Sequence, residues 1–401
     1  MRVRHLKLAA ALMFAAMTVL GGDPSPSIMI NDPNAITPEM DHWLMKGIDD
    51  IYRMKFDDAE IDSRKAISLN PAHPHPYMGL AGVSWTRYVY ESDQCDPGLL
   101  VPFEARTDEA LAVAKRWLKA HPKDAEAWFC MGAADGVSSR LHIIRHEWVK
   151  GYFQGRDAIK NTRMAVKLDP KLWDAYLGLG MYDYYSDVLS RQIGVLARIV
   201  IRGDRLKGIE TLEMVAAKGH YSANNAKILL VEIYTEDPYG ARNPARAVEL
   251  MKDLRKQYPD SAMMHGAQIV AWHENKQDQK VLEGAKDYIA RAKSGKYNPI
   301  EESMGLVSLG CAQWNLGHKD EALASFREGE KGTFQGKISR WGVWAYVHAA
   351  QLEDVLGLRN EAIRDYKFVM SQPDTWGFYA IAKVNYNKPY AGPDCGPIPP
   401  P

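Results

Sequence analysis

Cysteine is scarce in this chain, net charge is absent, and long hydrophobic runs are almost so. Four cysteines stand in 401 residues, at 95, 130, 311 and 395. That is too few for a scaffold that depends on disulfides, and none has the C-x-x-C or C-x-x-H spacing of a structural zinc site. Lys and Arg number 50 against 50 Asp and Glu, so no basic excess favours a phosphate backbone, and nucleic acid is not an expected partner. Beyond residue 22 no run reaches 18 apolar residues, so no further spanning helix is expected. A G-x-S-x-G elbow, a P-loop and an H-E-x-x-H pair are all missing, so the chain reads as non-catalytic and without a cofactor. Gly178 and Gly180 form a G-x-G, but they precede Met181-Tyr182 in a helical stretch and read as packing glycines. Strand signals are weak throughout. At 46% hydrophobic and 25% charged residues, the composition is that of a globular chain rather than a disordered one.

What is present begins with a leader. Arg2, Arg4 and Lys7 precede 13 uncharged residues, Leu8 to Leu20, and small residues follow at Gly21-Gly22. Residues 1–22 therefore read as a signal peptide, the apolar run being too short to span a bilayer. No cysteine follows it, so a lipid-anchored form is not expected. Cleavage removes three basic residues and leaves 47 against 50. The expected product is exported, periplasmic or secreted. Residues 23–40 are rich in Pro, Ser and Asp and read as a linker.

From residue 41 a pattern recurs. An aromatic opens a helix with a Leu/Met-Gly/Ala step, a second helix carries small residues seven apart, and a proline closes the unit. Trp43, Gly47, Ala59, Ala66 and Pro71 mark the first unit; Tyr77, Ala81, Ala110 and Pro122 the second; Trp128, Gly132, Ala158, Ala165 and Pro170 the third. The fourth carries Tyr176, Gly180 and Gly208, the fifth Leu229, Ala247 and Pro259, and the sixth, Met263 to Ala292, is degenerate. Gly310, Gly317, Ala322 and Phe326 mark the seventh, and Tyr346, Gly357, Ala362 and Tyr366 the eighth. From Pro71 to Tyr77, Pro122 to Trp128 and Pro170 to Tyr176 the step is six residues each time. These marks resemble the tetratricopeptide repeat, a helix–turn–helix of about 34 residues. The resemblance covers residues 41–370 and implies an all-α solenoid of about eight such units with inserts, each burying against its neighbours an apolar face it cannot bury alone. Across Tyr176–Tyr258 the sequence is also similar to exported bacterial repeat proteins and, distantly, to eukaryotic repeat proteins of inclusion clearance. Residues 371–388 read as a cap ending in a short helix from Tyr379 to Lys388. Pro389–Pro401, six prolines in thirteen residues, reads as extended or disordered.

The resemblance implies that the first helix of each unit lines an inner groove. Registered by the Leu-Gly step, Leu44, Met78, Trp85, Phe129, Leu177, Met181, Tyr184, Tyr234, Val307, Trp314 and Trp344 fall on that face. An apolar, aromatic groove fits a protein or peptide partner, the leading expectation. The opposing one is that inserts, tail or closure of the superhelix bury these side chains. A membrane surface is a second expected partner, because Val188–Arg202 sets Leu189, Ile193, Leu196 and Val200 on one helical face and Arg191, Arg198 and Arg202 on another. A third reading, a metal enzyme, rests on His142 and His146 at i and i+4 without a visible third ligand. His73 and His75 lie in a Pro-rich turn, and Asp57-Asp58 and Glu301-Glu302 at helix starts, where carboxylates complement the dipole. Glu91–Val101 reads as a surface loop. Cys95 and Cys130, in neighbouring units, are the pair expected to be near enough for a disulfide.

Overall fold

The computed structural model describes residues 36–144, 147–193, 203–373 and 377–398. Among these are seventeen α-helices, paired in sequence. They are α1 (Pro38–Tyr52) with α2 (Phe56–Leu69), α3 (His75–Tyr90) with α4 (Leu100–Ala120), α5 (Ala125–Ile144) with α6 (Trp148–Leu168), and α7 (Tyr176–Ile193) with α8 (Arg205–Lys218). Then come α9 (Ala223–Glu236) with α10 (Pro244–Gln257), α11 (Ala262–Glu274) with α12 (Asp278–Lys293), α13 (Glu302–Asn315) with α14 (Lys319–Gly329), and α15 (Arg340–Leu356) with α16 (Arg359–Ser371). A final helix, α17 (Phe378–Asn387), packs on α15 and α16. Two short strands, β1 (Thr333–Phe334) and β2 (Lys337–Ile338), pair antiparallel before α15. The chain is an all-α solenoid, and its described residues form eight helix hairpins.

The sequence marks have direct physical meaning. Each six-residue step is a hydrogen bond: Tyr77 donates its hydroxyl to the Pro71 carbonyl at 2.9 Å, the Trp128 indole donates to Pro122 at 3.0 Å, and Tyr176 donates to Pro170 at 3.2 Å. The start of one unit is thereby tied to the end of the last. Ala59, Ala66, Ala158 and Ala165 are buried, and glycines face two of them, Gly47 at Ala59 and Gly132 at Ala158. A Cβ at Gly132 would stand 2.9 Å from Thr162 N and 3.0 Å from Ala158 O, so α5 and α6 meet backbone to backbone. Helix starts are capped by side chains: Thr37 accepts from Met40 N, Ser261 from Met264 N and Ser339 from Gly342 N.

Along most of the stack each odd-numbered helix touches the next odd one, which places them on the short, inner side of the curve. The curve closes on itself. Tyr52 meets Tyr258 at 5.5 Å between rings, and Met263 N donates to Met54 Sδ at 3.4 Å. Asp41 accepts from the Tyr221 hydroxyl at 2.6 Å. The segment after α3, expected on the surface, turns inward instead. Ser92 and Asp93 are buried, Asp93 pairs with Arg340 of the eighth unit at 2.8 Å, and Asn298 donates to the Glu91 carbonyl at 3.3 Å.

The tail is also drawn in. Pro389–Ile398 has no regular secondary structure, yet it is fastened across the inner ends of α11, α13 and α15 rather than disordered. Tyr390 N donates to Asp354, Cys395 N donates to Asn315 Oδ1, and His273 Nε2 meets the Gly396 carbonyl at 3.1 Å. Ile398 is buried in the same core as Trp314 and Trp344. Here lies the disulfide, between Cys311 and Cys395. Cys95 and Cys130 are free thiols, and the expected Cys95–Cys130 bond is not formed. Cys95 Sγ turns to the Asp93 carbonyl at 3.4 Å, while the Cys130 thiol contacts His75. Helix α1 starts at Pro38, inside the span expected as linker, and α17 one residue before the expected cap helix.

Candidate binding face inside the solenoid

Closure and the tail decide which of the anticipated groove residues reach solvent. Leu44, Tyr184, Tyr234, Val307, Trp314 and Trp344 are core side chains, each at most 8% exposed. Trp314 lies beside the Tyr390 ring at 6.0 Å, and Trp344 is enclosed by Phe378 and His348. Tyr184 donates to Asp237 at 3.1 Å and Tyr234 to Glu213 at 2.8 Å, both bridging the fourth and fifth hairpins. These six are therefore not free anchors in this structure. Met78, Trp85, Phe129, Leu177 and Met181 are half-buried.

What converges on the inner side is a polar and aromatic group of which the Leu-Gly register selected only Trp85. Arg140 comes from α5, Trp85, Tyr88 and Tyr90 from α3, Tyr185 from α7 and Glu232 from α9. The Arg140 guanidinium lies over the Trp85 ring, 4.3 Å from its centroid. Among the described residues no carboxylate comes within ion-pair distance of it. Burial lowers its pKa, opposed by the nearby charge of Glu232 and the hydroxyls of Tyr185, Tyr90 and Tyr88. The Tyr185 hydroxyl donates to Glu232 Oε1 at 3.1 Å. Burial pushes the Tyr88 phenol up to about 12 and raises Tyr90 and Tyr185 further, so all three stay protonated donors. Four helices from four successive units thus surround one cation with three phenols and an indole. One residue of register separates this set from the expected one at α7, where Tyr185 rather than Tyr184 faces inward.

A second cluster has the composition of a nucleophile, base and carboxylate. His75 at the start of α3 stands between Cys130 and Glu126 of α5, with Nδ1 3.3 Å from Glu126 Oε2. Burial opposes a proton on His75, but the Cys130 sulfur and the Glu126 carboxylate outweigh it and hold its pKa well above the ordinary value. The thiol is 1% exposed, and burial raises its pKa despite His75. Thiolate chemistry needs a sulfur that substrate can reach, and Cys130 is closed to solvent as placed. Contacts with Phe129 and the Tyr221 ring, at 6.0 and 4.5 Å, build it into the core.

The other anticipated residues are dispersed. His142 Nδ1 stands 2.7 Å from Glu147 Oε2; His146 lies outside the described residues. In the basic segment, Val188 and Leu189 are buried against the solenoid. Arg191 pairs with Asp187 at 2.9 Å and lies over the Tyr239 ring, while Arg198 and Arg202 lie outside the described residues. Glu301 stands at a helix start, as expected; it is buried, accepts from the Tyr288 hydroxyl at 2.5 Å, and is pushed by burial up to about 7. No described helix is long and apolar enough to cross a membrane.

The chain matches no known protein family and no curated protein. Among solved structures it is similar to a tetratricopeptide repeat protein from Parabacteroides merdae, at 12% identity over 82% of this chain and 100% of that one, with a TM-score of 0.33. It is also similar to a human IFIT1 dimer with PPP-AAAA, at 12% identity over 88% of this chain and 85% of that one, TM-score 0.46. The tetratricopeptide domain of P58(IPK) is 13% identical over 87% of this chain and 96% of that one, TM-score 0.20.

Proposed function

We propose that this chain is a non-catalytic binding scaffold of the cell envelope that holds an acidic or carboxylate-bearing segment of a protein partner on the inner side of its second to fifth hairpins. The observation that carries this reading is Arg140. A guanidinium taken from water costs free energy unless an anion meets it, and its planar fork suits a carboxylate gripped at two points. Glu232 lends Arg140 its charge from beyond ion-pair distance, and its Oε1 accepts from Tyr185. The half-buried faces of Trp85, Tyr90 and Tyr185 offer apolar area to the chain on either side of such a carboxylate, and amphipathic aromatics beside an arginine are the usual composition of a binding hot spot. Met78, Phe129, Leu177 and Met181 extend this surface. Export through a signal peptide at 1–22, and hence an envelope location, rests on the leader's charge and length.

The test is peptide binding to the full chain by fluorescence anisotropy, with a panel of acidic peptides presented as free acids and as neutralised forms. A charge-assisted hydrogen bond is worth about 1.5–3 kcal/mol, so Arg140→Gln is expected to weaken the best binder by roughly 10- to 150-fold, and neutralising its carboxylate to do the same. Arg140→Lys restores only part, because the fork is lost. Unchanged affinity in Arg140→Gln, or no peptide bound by the folded chain, refutes the site. Export is checked separately: the envelope fraction is expected to hold a chain beginning near residue 23, and an uncleaved chain confined to the cytosol refutes it.

A further inference from the structure

The junction that fastens the tail contains more than a disulfide. Cys311 on α13 and Cys395 in the tail have Cα atoms 5.2 Å apart. His348 on α15 reaches the same point, with Nδ1 3.5 Å from Cys395 Sγ. One ligand atom from each of the three residues lies within 4.8 Å of the others, and all three residues are buried. The rings of Phe326 and Trp344 stack on His348, at 5.7 and 5.6 Å, and keep the site dry. Buried polar atoms are normally satisfied. His348 Nε2, however, makes no hydrogen bond, and neither does His273 Nδ1. The Gly396 carbonyl can only accept, so His273 carries its proton on Nε2 and leaves Nδ1 as a bare lone pair.

We propose that the dithiol form of this junction is a metal site, in which Cys311, Cys395 and His348 bind one thiophilic divalent cation of the zinc class. The chain is synthesised with both cysteines as thiols, and two outcomes are open to them. In oxidation, an external disulfide takes up two electrons and two protons by exchange and the S–S bond forms. In metal binding no electron moves. Two thiol protons leave to solvent, and two thiolates and one imidazole nitrogen fill three of the four tetrahedral positions. Zinc–sulfur bonds of about 2.3 Å set the two sulfurs about 3.8 Å apart, a separation that side-chain rotation reaches with the backbone in place. Three ligands from three separate segments suit a clasp: the bound ion holds the tail across α13 and α15 as the disulfide does.

Cobalt(II) is the probe, because its thiolate charge-transfer and ligand-field bands report sulfur ligation and tetrahedral geometry. The full chain, carrying Cys95→Ser and Cys130→Ser, is reduced with a phosphine, freed of reductant without air, and titrated. One Co2+ per chain with a two-thiolate spectrum, displaced by Zn2+, is expected. Cys395→Ser and His348→Gln each weaken binding by at least about 100-fold with helical circular dichroism unchanged, and the oxidised chain shows no thiolate band. Absence of that band in the folded reduced chain overturns the proposal, as does its persistence in Cys395→Ser. Should that variant fail to fold, alkylation of the unsubstituted chain decides: Zn2+ is expected to protect Cys311 and Cys395, and alkylation at the metal-free rate overturns the site.

Discussion

Two glycines one turn apart on α5 respond oppositely to the same added methyl group. In a helix interior, alanine is favoured over glycine by about 0.8–1 kcal/mol. At Gly136 a new Cβ meets only the Ala158 methyl, at 3.9 Å, an ordinary contact, so Gly136→Ala is expected to stabilise by about 0.5–1 kcal/mol. At Gly132 the same carbon is driven onto Thr162 Oγ1 and stands 2.9 Å from Thr162 N and 3.0 Å from Ala158 O. Two of these atoms are α6 backbone and cannot turn aside. The Thr162 hydroxyl is itself held by the Ala158 carbonyl at 2.8 Å. The helices must separate, and overpacking of this kind costs about 1–3 kcal/mol. Allowing for the propensity gain, Gly132→Ala is expected to destabilise by up to about 2 kcal/mol, which leaves the two variants about 1–3 kcal/mol apart. Urea unfolding followed by tryptophan fluorescence reads this difference, with Trp128 on α5 as a reporter. A Gly132→Ala chain stabilised as much as Gly136→Ala refutes close backbone contact as the reason for glycine in this repeat step.

Trp314→Ser is expected to cost about 3–5 kcal/mol and flatten the near-ultraviolet circular dichroism, because the indole is core; an unchanged spectrum and midpoint return it to an open groove. Asp93→Ala leaves Arg340 buried without its partner, at about 3–5 kcal/mol, and adding Arg340→Met is expected to recover most of that loss; strictly additive losses in the double variant refute a buried pair. Glu301, pushed up to about 7 in the folded chain, keeps between pH 4.5 and 7 a proton that the unfolded chain has released. Its contribution to stability is therefore whole below pH 4.5 and is lost as pH rises through 7. Against the parent, Glu301→Gln is expected to gain about 2–3 kcal/mol between pH 5 and 8, and parallel stability–pH curves sink the claim.

The solenoid was legible because its signals are local. Ala59 with Ala66 and Ala158 with Ala165 mark one helical face, and the six-residue proline step is a hydrogen bond within a single turn. The site was less legible, and Tyr184 shows why. One residue of helical register is about 100° of rotation, enough to exchange Tyr185 for Tyr184. Arg140 gave no signal of its own, since a lone arginine on a helix reads as solvated surface until three other helices close over it. The tail and Cys311–Cys395 were invisible for another reason. Proline-rich composition reports the absence of regular structure, not the absence of packing, and partners 84 residues apart leave no spacing to read. Local pattern likewise placed Asp93 on the surface because its partner Arg340 lies in the last repeat.

Open repeat stacks fold by propagation, each hairpin docking as it is made. Ring closure removes that freedom. Asn298 donates to Glu91 across a separation of 207 residues, so at roughly 5–20 residues per second the inward segment after α3 waits on the order of 10–40 s during synthesis before its partners exist. For that interval the first two hairpins hold Asp93 and the Tyr52 face without a counterpart. A chain built this way has a high contact order for a helical protein, and its last hairpin is a keystone: until α15 arrives, the ring has no load path and the early units stand as separate, short-lived arches.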